Sequence, residues 1–202
     1  MAAARSRAER QASKRAHILR VASRVFAARS YHLVKMDAVA HSSGVGKGTL
    51  YRYFPSKERL YLALVDEAFA LLLERLEQEQ AARLAPSVAL SRMIAAIVDT
   101  FADHLPYFRV MQRGEARLLH KGKQVIRARR GCIEALLAQA LDRGIEAGVF
   151  RKVDGLLAAS MLIGMVWATT LHHGGETPAE ILGQRIADLY LHGLLSAAGD
   201  AI

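Results

Sequence analysis

Between Lys47 and Tyr53 the sequence places an amine, a hydroxyl, two phenols and a guanidinium (Lys47, Thr49, Tyr51, Arg52 and Tyr53) around one strongly apolar residue, Leu50. Such groups hydrogen-bond phosphate oxygens and the edges of bases. They cannot all point inward. A short helix over these residues therefore presents a face rich in donors, and the chemistry it suggests is recognition of a nucleic acid.

The neighbouring residues predict how that face is held. Met36, Val39 and Ala40 stand at i, i+3 and i+4, which predicts a first short helix with one apolar side, ended by Gly44. Val45, Leu50 and Phe54 resume the inward face. Pro55 closes the second helix, because the residue before a proline is pushed out of the α region. Ser56 can then cap a new helix with Arg59 at its third position. Two short helices on a glycine turn predict a helix-turn-helix for duplex DNA. Upstream, Arg15 to Arg29 reads as a supporting helix with Ile18, Leu19, Ala22, Val25 and Phe26 inward.

In this region, from Phe26 to Leu60, the chain resembles the DNA-binding region of the TetR family of bacterial transcriptional regulators. The resemblance rests on Ile18, Ala22 and Phe26, Tyr31, Asp37 to Ala40, Gly44-Val45, Lys47 to Phe54, and Ser56-Lys57-Glu58. It implies that Lys47, Gly48 and Thr49 lie nearest base edges in the major groove, while Tyr51, Tyr53 and Lys57 hold phosphates. A glycine at position 48 lets the backbone come close to the groove, at about 1 kcal/mol of helix stability relative to alanine. Lys35 and Gly46 depart from the family's usual Thr or Ser at helix N-caps. Lys35 is expected to reach a phosphate instead.

The resemblance further implies a helix-turn-helix domain over residues 12–72 and a helical effector-binding and dimerisation domain over 73–202. It implies a homodimer built on the last two long helices, a palindromic operator, and most often repression. It also implies a small-molecule pocket among the central helices, for which Phe101, Phe108, Met111, Met161, Met165 and Trp167 are the candidates. Few charges look buried on these helices, so an apolar or amphipathic effector is expected.

The rest of the chain reads as helix throughout. A long helix from Ser56 to about Leu84 carries Leu60, Leu64, Ala68, Leu71 and Leu72 on one side. Pro86 opens the next, through about His104, and Pro106 breaks the chain before a helix carrying Phe108, Met111 and Leu118. Gly122 to Ala147 is a further helix, and Gly148-Val149-Phe150 a turn. Leu156 to Leu171 is apolar all round, which fits burial in a core or a subunit interface. His172 to Gly175 reads as a loop, and Thr177-Pro178 starts a last helix that ends near Gly199, with Leu182, Ile186, Leu189 and Leu194 in one stripe. The fold class is all-α, with nine to ten helices and no strands.

Charge divides the chain in the same way. Residues 1–59 hold 13 Lys and Arg against three acids, whereas the remaining 143 residues hold 15 against 16. The basicity is confined to the segment with the reading helix, which favours a polyanionic partner. Arg5 to Arg15 precede any firm helical pattern and read either as a solvated tail or as extra phosphate contacts. The 202 residues, 52% of them hydrophobic, suffice for one small DNA-binding module and one larger helical domain.

Other chemistries fit poorly. Gly44 to Thr49 lacks P-loop spacing, since Gly48 and not Ser or Thr follows Lys47. Adjacent His172 and His173 would point about 100° apart on a helix and have no partner at metal-ligand spacing. No nucleophile elbow is present, so neither an enzyme nor a cofactor is expected. The single cysteine, Cys132, excludes an internal disulfide and reads as a small buried hydrophobe in a reducing cytoplasm. Met1 to Gln11 has no apolar core of a signal peptide, and the 16 residues from Leu156 to Leu171 fall short of the roughly 20 a membrane span needs.

Overall fold

The computed structural model of the chain describes residues 2–105, 108 and 116–194. Among these, eight α-helices and one 3₁₀ turn account for the regular structure, so the chain is all-α. The first helix, α1, runs from Ala2 to Ala28 and is much longer than its apolar pattern predicts. Only Ile18, Leu19, Ala22 and Phe26 of its described residues are buried. Residues 8–16 are exposed, and their Ala, Arg, Glu, Gln and Lys side chains favour helix by intrinsic propensity without a core to face. The basic segment is therefore helical, with residues 8–16 exposed to solvent.

After the 3₁₀ turn Tyr31–Leu33 come α2 (Met36–Ser42) and α3 (Lys47–Tyr53). Met36, Val39, Ala40, Leu50 and Phe54 are buried, as their spacing predicts. Gly44 takes φ +63° between the two helices, the left-handed turn that a side chain disfavours. Helix α4 (Lys57–Ala81) is capped by Ser56, whose hydroxyl accepts from the Arg59 amide at 3.2 Å.

Helix α4 joins the two halves of the molecule. Its Tyr61 ring meets Phe26 and Tyr31 at 5.4 and 5.1 Å, whereas its Phe69 ring meets Phe108 at 5.8 Å. Leu71 is 51% exposed, contrary to expectation. The buried stripe has by then turned towards Phe69, Leu72 and Leu76, where α5 (Pro86–Asp103) and α6 (Ala116–Glu146) flank it.

Leu118 and Gly122 both belong to α6, so no new helix begins at Gly122, while Met111 of the expected preceding helix lies outside the described residues. Gly122 does not break it. A Cβ at this position would collide with the Leu62 side chain of α4, so the glycine marks a close approach of the two helices. Cys132 is exposed on α6, and its expected burial is wrong. The inward face of α6 runs instead through Ile133, Leu137, Ala140 and Leu141, which leaves 130–132 outside.

Helix α7 (Gly155–His173) is capped by Asp154, whose carboxylate accepts from the Leu157 amide at 3.0 Å. It takes in His172 and His173, which were expected in a loop. At 19 residues it is long and apolar enough to cross a membrane. Its Ala159, Leu162, Ile163 and Val166 are buried, in a helix that packs against α5, α6 and α8 (Ala179–His192). The Tyr190 hydroxyl of α8 donates to the Ala158 carbonyl at 2.7 Å, and burial pushes the pKa of this phenol up to about 12. Leu182, Ile186 and Leu194 are buried as expected, but Leu189 is 68% exposed. The stripe is centred on Gly183, Ile186 and Tyr190, about 100° of helix rotation from Leu189. The helix ends at His192, with Gly193 at its C-cap, short of the end expected near Gly199.

Candidate nucleic-acid interface

The helix-turn-helix is fixed from three sides. Ser43, at the end of α2, turns its hydroxyl back onto the Val39 carbonyl at 2.6 Å, and its own carbonyl lies 3.1 Å from His17 Nε2 on α1. Arg15 of α1 sits over the Phe54 ring at 5.5 Å. The Lys57 ammonium donates to the Tyr31 carbonyl at 2.9 Å and lies 4.3 Å from the Tyr31 ring centre. The sequence alone pointed to none of these ties between elements, because each joins residues far apart in the chain.

On α3, Lys47, Gly48 and Tyr51 share the outward face at i, i+1 and i+4, and all three are exposed. The Lys47 ammonium lies 2.9 Å from the Asp37 carboxylate in the first turn of α2. That hydrogen bond raises the lysine pKa from its usual value, which keeps the ammonium charged, and it ties the start of α3 to the start of α2. A Cβ built at Gly48 would meet nothing within 4 Å. The glycine therefore answers no packing need inside the chain.

Thr49 stands differently from its expected place beside Lys47 and Gly48. It is half-buried and, with Arg52 and Tyr53, lines a groove between α3 and α1. Tyr53 is partly buried with the Arg52 guanidinium over its ring at 5.7 Å. Lys35 is exposed at the N-cap of α2 with no side-chain cap, and its carbonyl accepts from the Ala38 and Val39 amides at 3.1 and 3.3 Å. Lys57 is half-buried against the 3₁₀ turn and not extended into solvent. An ammonium has three donors, and the one not turned to the Tyr31 and His32 carbonyls is left for a phosphate.

A second feature lies in the larger helical half. A cavity of about 210 Å³ is walled by Phe69 of α4, Ile97 and Phe101 of α5, Ile126 and Ile133 of α6, and Ile163 and Trp167 of α7, with Arg130 and Gly164 completing it. Of the six expected pocket residues, Phe101 and Trp167 line it. Phe108 stands behind the wall as buried core, 4.4 Å from the Phe101 ring and 5.3 Å from Trp167. Met161 and Met165 do not reach the cavity. They face an outer groove between α7 and α8, because Met161 lies on the solvent side of α7, 64% exposed. Met111 lies outside the described residues. The Arg130 guanidinium is held by Glu134 at 2.8 Å, and Ser160 of α7 donates to the same carboxylate at 2.8 Å. Among the described residues no group of His, Cys, Asp and Glu is arranged to hold a metal ion.

Residues 18–64 match the family model described as "Bacterial regulatory proteins, tetR family", and residues 84–194 match "Tetracyclin repressor-like, C-terminal domain". The chain is 25% identical to the HTH-type transcriptional repressor KstR2 of Mycolicibacterium smegmatis, over 94% of each chain. Among solved structures it is similar to the TetR family transcriptional regulator PfmR of Thermus thermophilus, with TM-score 0.67 and 31% identity over 87% of this chain and 97% of that one. It also shares the fold of AibR, solved with isovaleryl coenzyme A and operator DNA, at TM-score 0.67 and 21% identity over 87% and 97%.

Proposed function

The chain belongs to the TetR family of DNA-binding transcriptional regulators, and on that premise we propose that it is a repressor that binds a palindromic operator as a homodimer and releases it when a small apolar or amphipathic effector enters the α4–α7 cavity. The observation that carries this reading is the double role of α4. One helix lends Tyr61 to the core beneath the helix-turn-helix and, two turns on, Phe69 to the cavity wall. A ligand that shifts Phe69 therefore acts on the element that sets the position of the reading helix. The division proposed at residues 72 and 73 falls within this helix, which is where coupling between domains 12–72 and 73–202 would pass. The ion pair between Asp66 of α4 and Arg129 of α6, at 2.7 Å, clamps the same stretch.

For DNA, we assign Lys47, Gly48 and Tyr51 to the major groove and Lys35, Thr49, Tyr53 and Lys57 to phosphates at its edges. Dimerisation is supported by exposed apolar side chains on the last two helices: Leu156, Leu157 and Met161 of α7 and Leu189 of α8. Such a patch on an otherwise well-packed subunit fits a two-fold contact. Two reading helices related by that axis require half-sites about 34–36 Å apart, or a multiple of that distance. A regulator of this kind works in the cytoplasm, where the DNA is.

The cavity narrows the effector. Its volume of about 210 Å³ and its largely apolar walls suit a short acyl or aryl group. Apolar walls would hold that group, and Arg130 would meet a polar or anionic remainder such as that of a short acyl thioester. Operator release needs a difference in effector affinity between the two states, typically about 1–3 kcal/mol.

The test is operator binding with and without short-chain acyl-CoA thioesters, on the unchanged protein and on Ile133→Trp. The larger side chain fills the cavity at a packing cost of about 1–3 kcal/mol. Operator affinity is expected to persist in the variant while release by the thioester disappears. Equal release from both proteins would remove the cavity from the account.

A further inference from the structure

Helices α6 and α7 pack side by side in opposite directions, and their contacts fix which residues stand opposite one another. A Cβ at Gly155 would collide with Asp142 and lie close to the Ala138 carbonyl, and five residues on, the Ser160 hydroxyl donates to Glu134 at 2.8 Å. One turn further along α7 stands Gly164, and one turn back along α6 stands Arg130; both border the cavity, as do Trp167 and Ile126 on the turn after that. The rung at Glu134 and Ser160 is thus closed by a hydrogen bond, whereas the rung at Arg130 and Gly164 is open. Gly164 is exposed, and a Cβ built on it would meet nothing within 4 Å. Glycine inside a helix is unfavourable relative to alanine, and the packing of this subunit does not call for one here. Its effect is a window from the cavity to the outside, between two helices that close on each other at the adjacent turn.

We infer that this window is the effector's head-group site: the apolar end of the ligand lies in the cavity, its chain passes between Arg130 and Gly164, and a bulky phosphorylated head stays outside. The inference rests on the effector reading above and adds the way in and the chemistry at the rim. A cavity of about 210 Å³ takes a small group, so a larger ligand leaves the rest of itself beyond the wall. Arg130 is exposed at the rim, where Glu134 engages its Nε and fixes its direction, while the terminal nitrogens carry the remaining donors of the guanidinium. Arg127, three residues earlier on the same flank of α6, is exposed as well. Two guanidiniums beside the opening suit phosphate oxygens, which guanidinium binds through paired N–H groups. Gly164 is then the residue that admits such a ligand, because a side chain at this position stands in the passage through which the chain runs.

Trp167 is the chain's single tryptophan and lines the cavity, so its fluorescence reports occupancy without DNA. Three probes are titrated into the full chain: butyryl-CoA, the uncharged S-butyryl-N-acetylcysteamine, and toluene, which is small enough to lie wholly inside. Gly164→Leu is expected to weaken both thioesters at least about tenfold, since each spans the window, and to leave toluene binding unchanged. Arg127→Gln/Arg130→Gln is expected to weaken butyryl-CoA about tenfold or more and to leave the uncharged thioester unchanged. Toluene binding in each variant shows that the fold and the cavity are intact. Full-strength thioester binding by Gly164→Leu overturns the window, and sedimentation of that variant as a monomer would then assign the glycine to the subunit contact. Loss of toluene along with both thioesters overturns it too, because position 164 would then belong to the cavity's interior and not to its mouth. Equal loss of the charged and uncharged thioesters in the arginine variant removes the phosphorylated head from the rim. No response of the unchanged chain to any probe removes the cavity itself, a failure of the effector reading that is visible before any variant is made.

Discussion

Replacing Gly48 by leucine is expected to lower operator affinity at least about 100-fold, some 2.8 kcal/mol, while the protein stays as stable as before or gains stability. The two effects separate because the chain has no use of its own for the missing side chain. A Cβ at this position meets nothing within 4 Å, and leucine in a helix is favoured over glycine by just under about 1 kcal/mol. The space that is empty in the free protein is the space between Lys47 and Tyr51 on the outward face of α3. A branched side chain there holds the helix off the floor of the major groove and lengthens every contact at once. Thermal unfolding and a DNA titration on the same sample decide the matter. Full affinity with Gly48→Leu would mean that α3 meets DNA by another face.

The second large effect is expected at the far end of the molecule. Met161→Glu should turn the dimer into a monomer and reduce operator affinity by about two orders of magnitude or more, although residue 161 lies on the far side of the molecule from α3. Met161 is 64% exposed and borders a groove of about 450 Å³ with Leu157 and Leu189, themselves 59% and 68% exposed. In a single subunit a glutamate there meets water and costs little. Across a two-fold contact each partner would bring one carboxylate into an apolar seam, at several kcal/mol per ion. A lone subunit keeps one reading helix and one half-site. Sedimentation shows the oligomeric state and a half-site duplex shows whether the remaining head still works. A dimer that survives this substitution with its affinity would place the interface elsewhere.

The reading region was legible in the sequence because its determinants are local. The i, i+3, i+4 spacing of Met36, Val39 and Ala40, the glycine between the short helices and the Ser56 cap each involve residues within a few positions of one another. What escaped was set by tertiary direction. Thr49 and Lys47 are two residues apart, and only the packing of Leu50 and Phe54 decides that one faces α1 and the other faces outward. Met161 and Met165 looked like pocket residues because methionine on an apolar helix carries no sign of which side is inside. Leu156 to Leu171 is apolar all round, so periodicity could not separate its core face from its exposed one. Cys132 failed for the complementary reason: Ile133 and Leu136 stand near it in sequence, but the helix turns it away from the core. The length of α1 was missed because a helix held by propensity, with residues 8–16 exposed on every side, leaves no hydrophobic period to read.

The central claim, a sequence-specific dimeric reader, is tested most directly by selecting bound duplexes from random DNA with the purified protein at near-physiological salt, where non-specific phosphate binding is suppressed. The account predicts enrichment of a palindrome whose half-sites lie about one helical turn, or a multiple of it, apart. Failure of a folded protein to enrich any sequence, or enrichment only of single asymmetric sites, would contradict it.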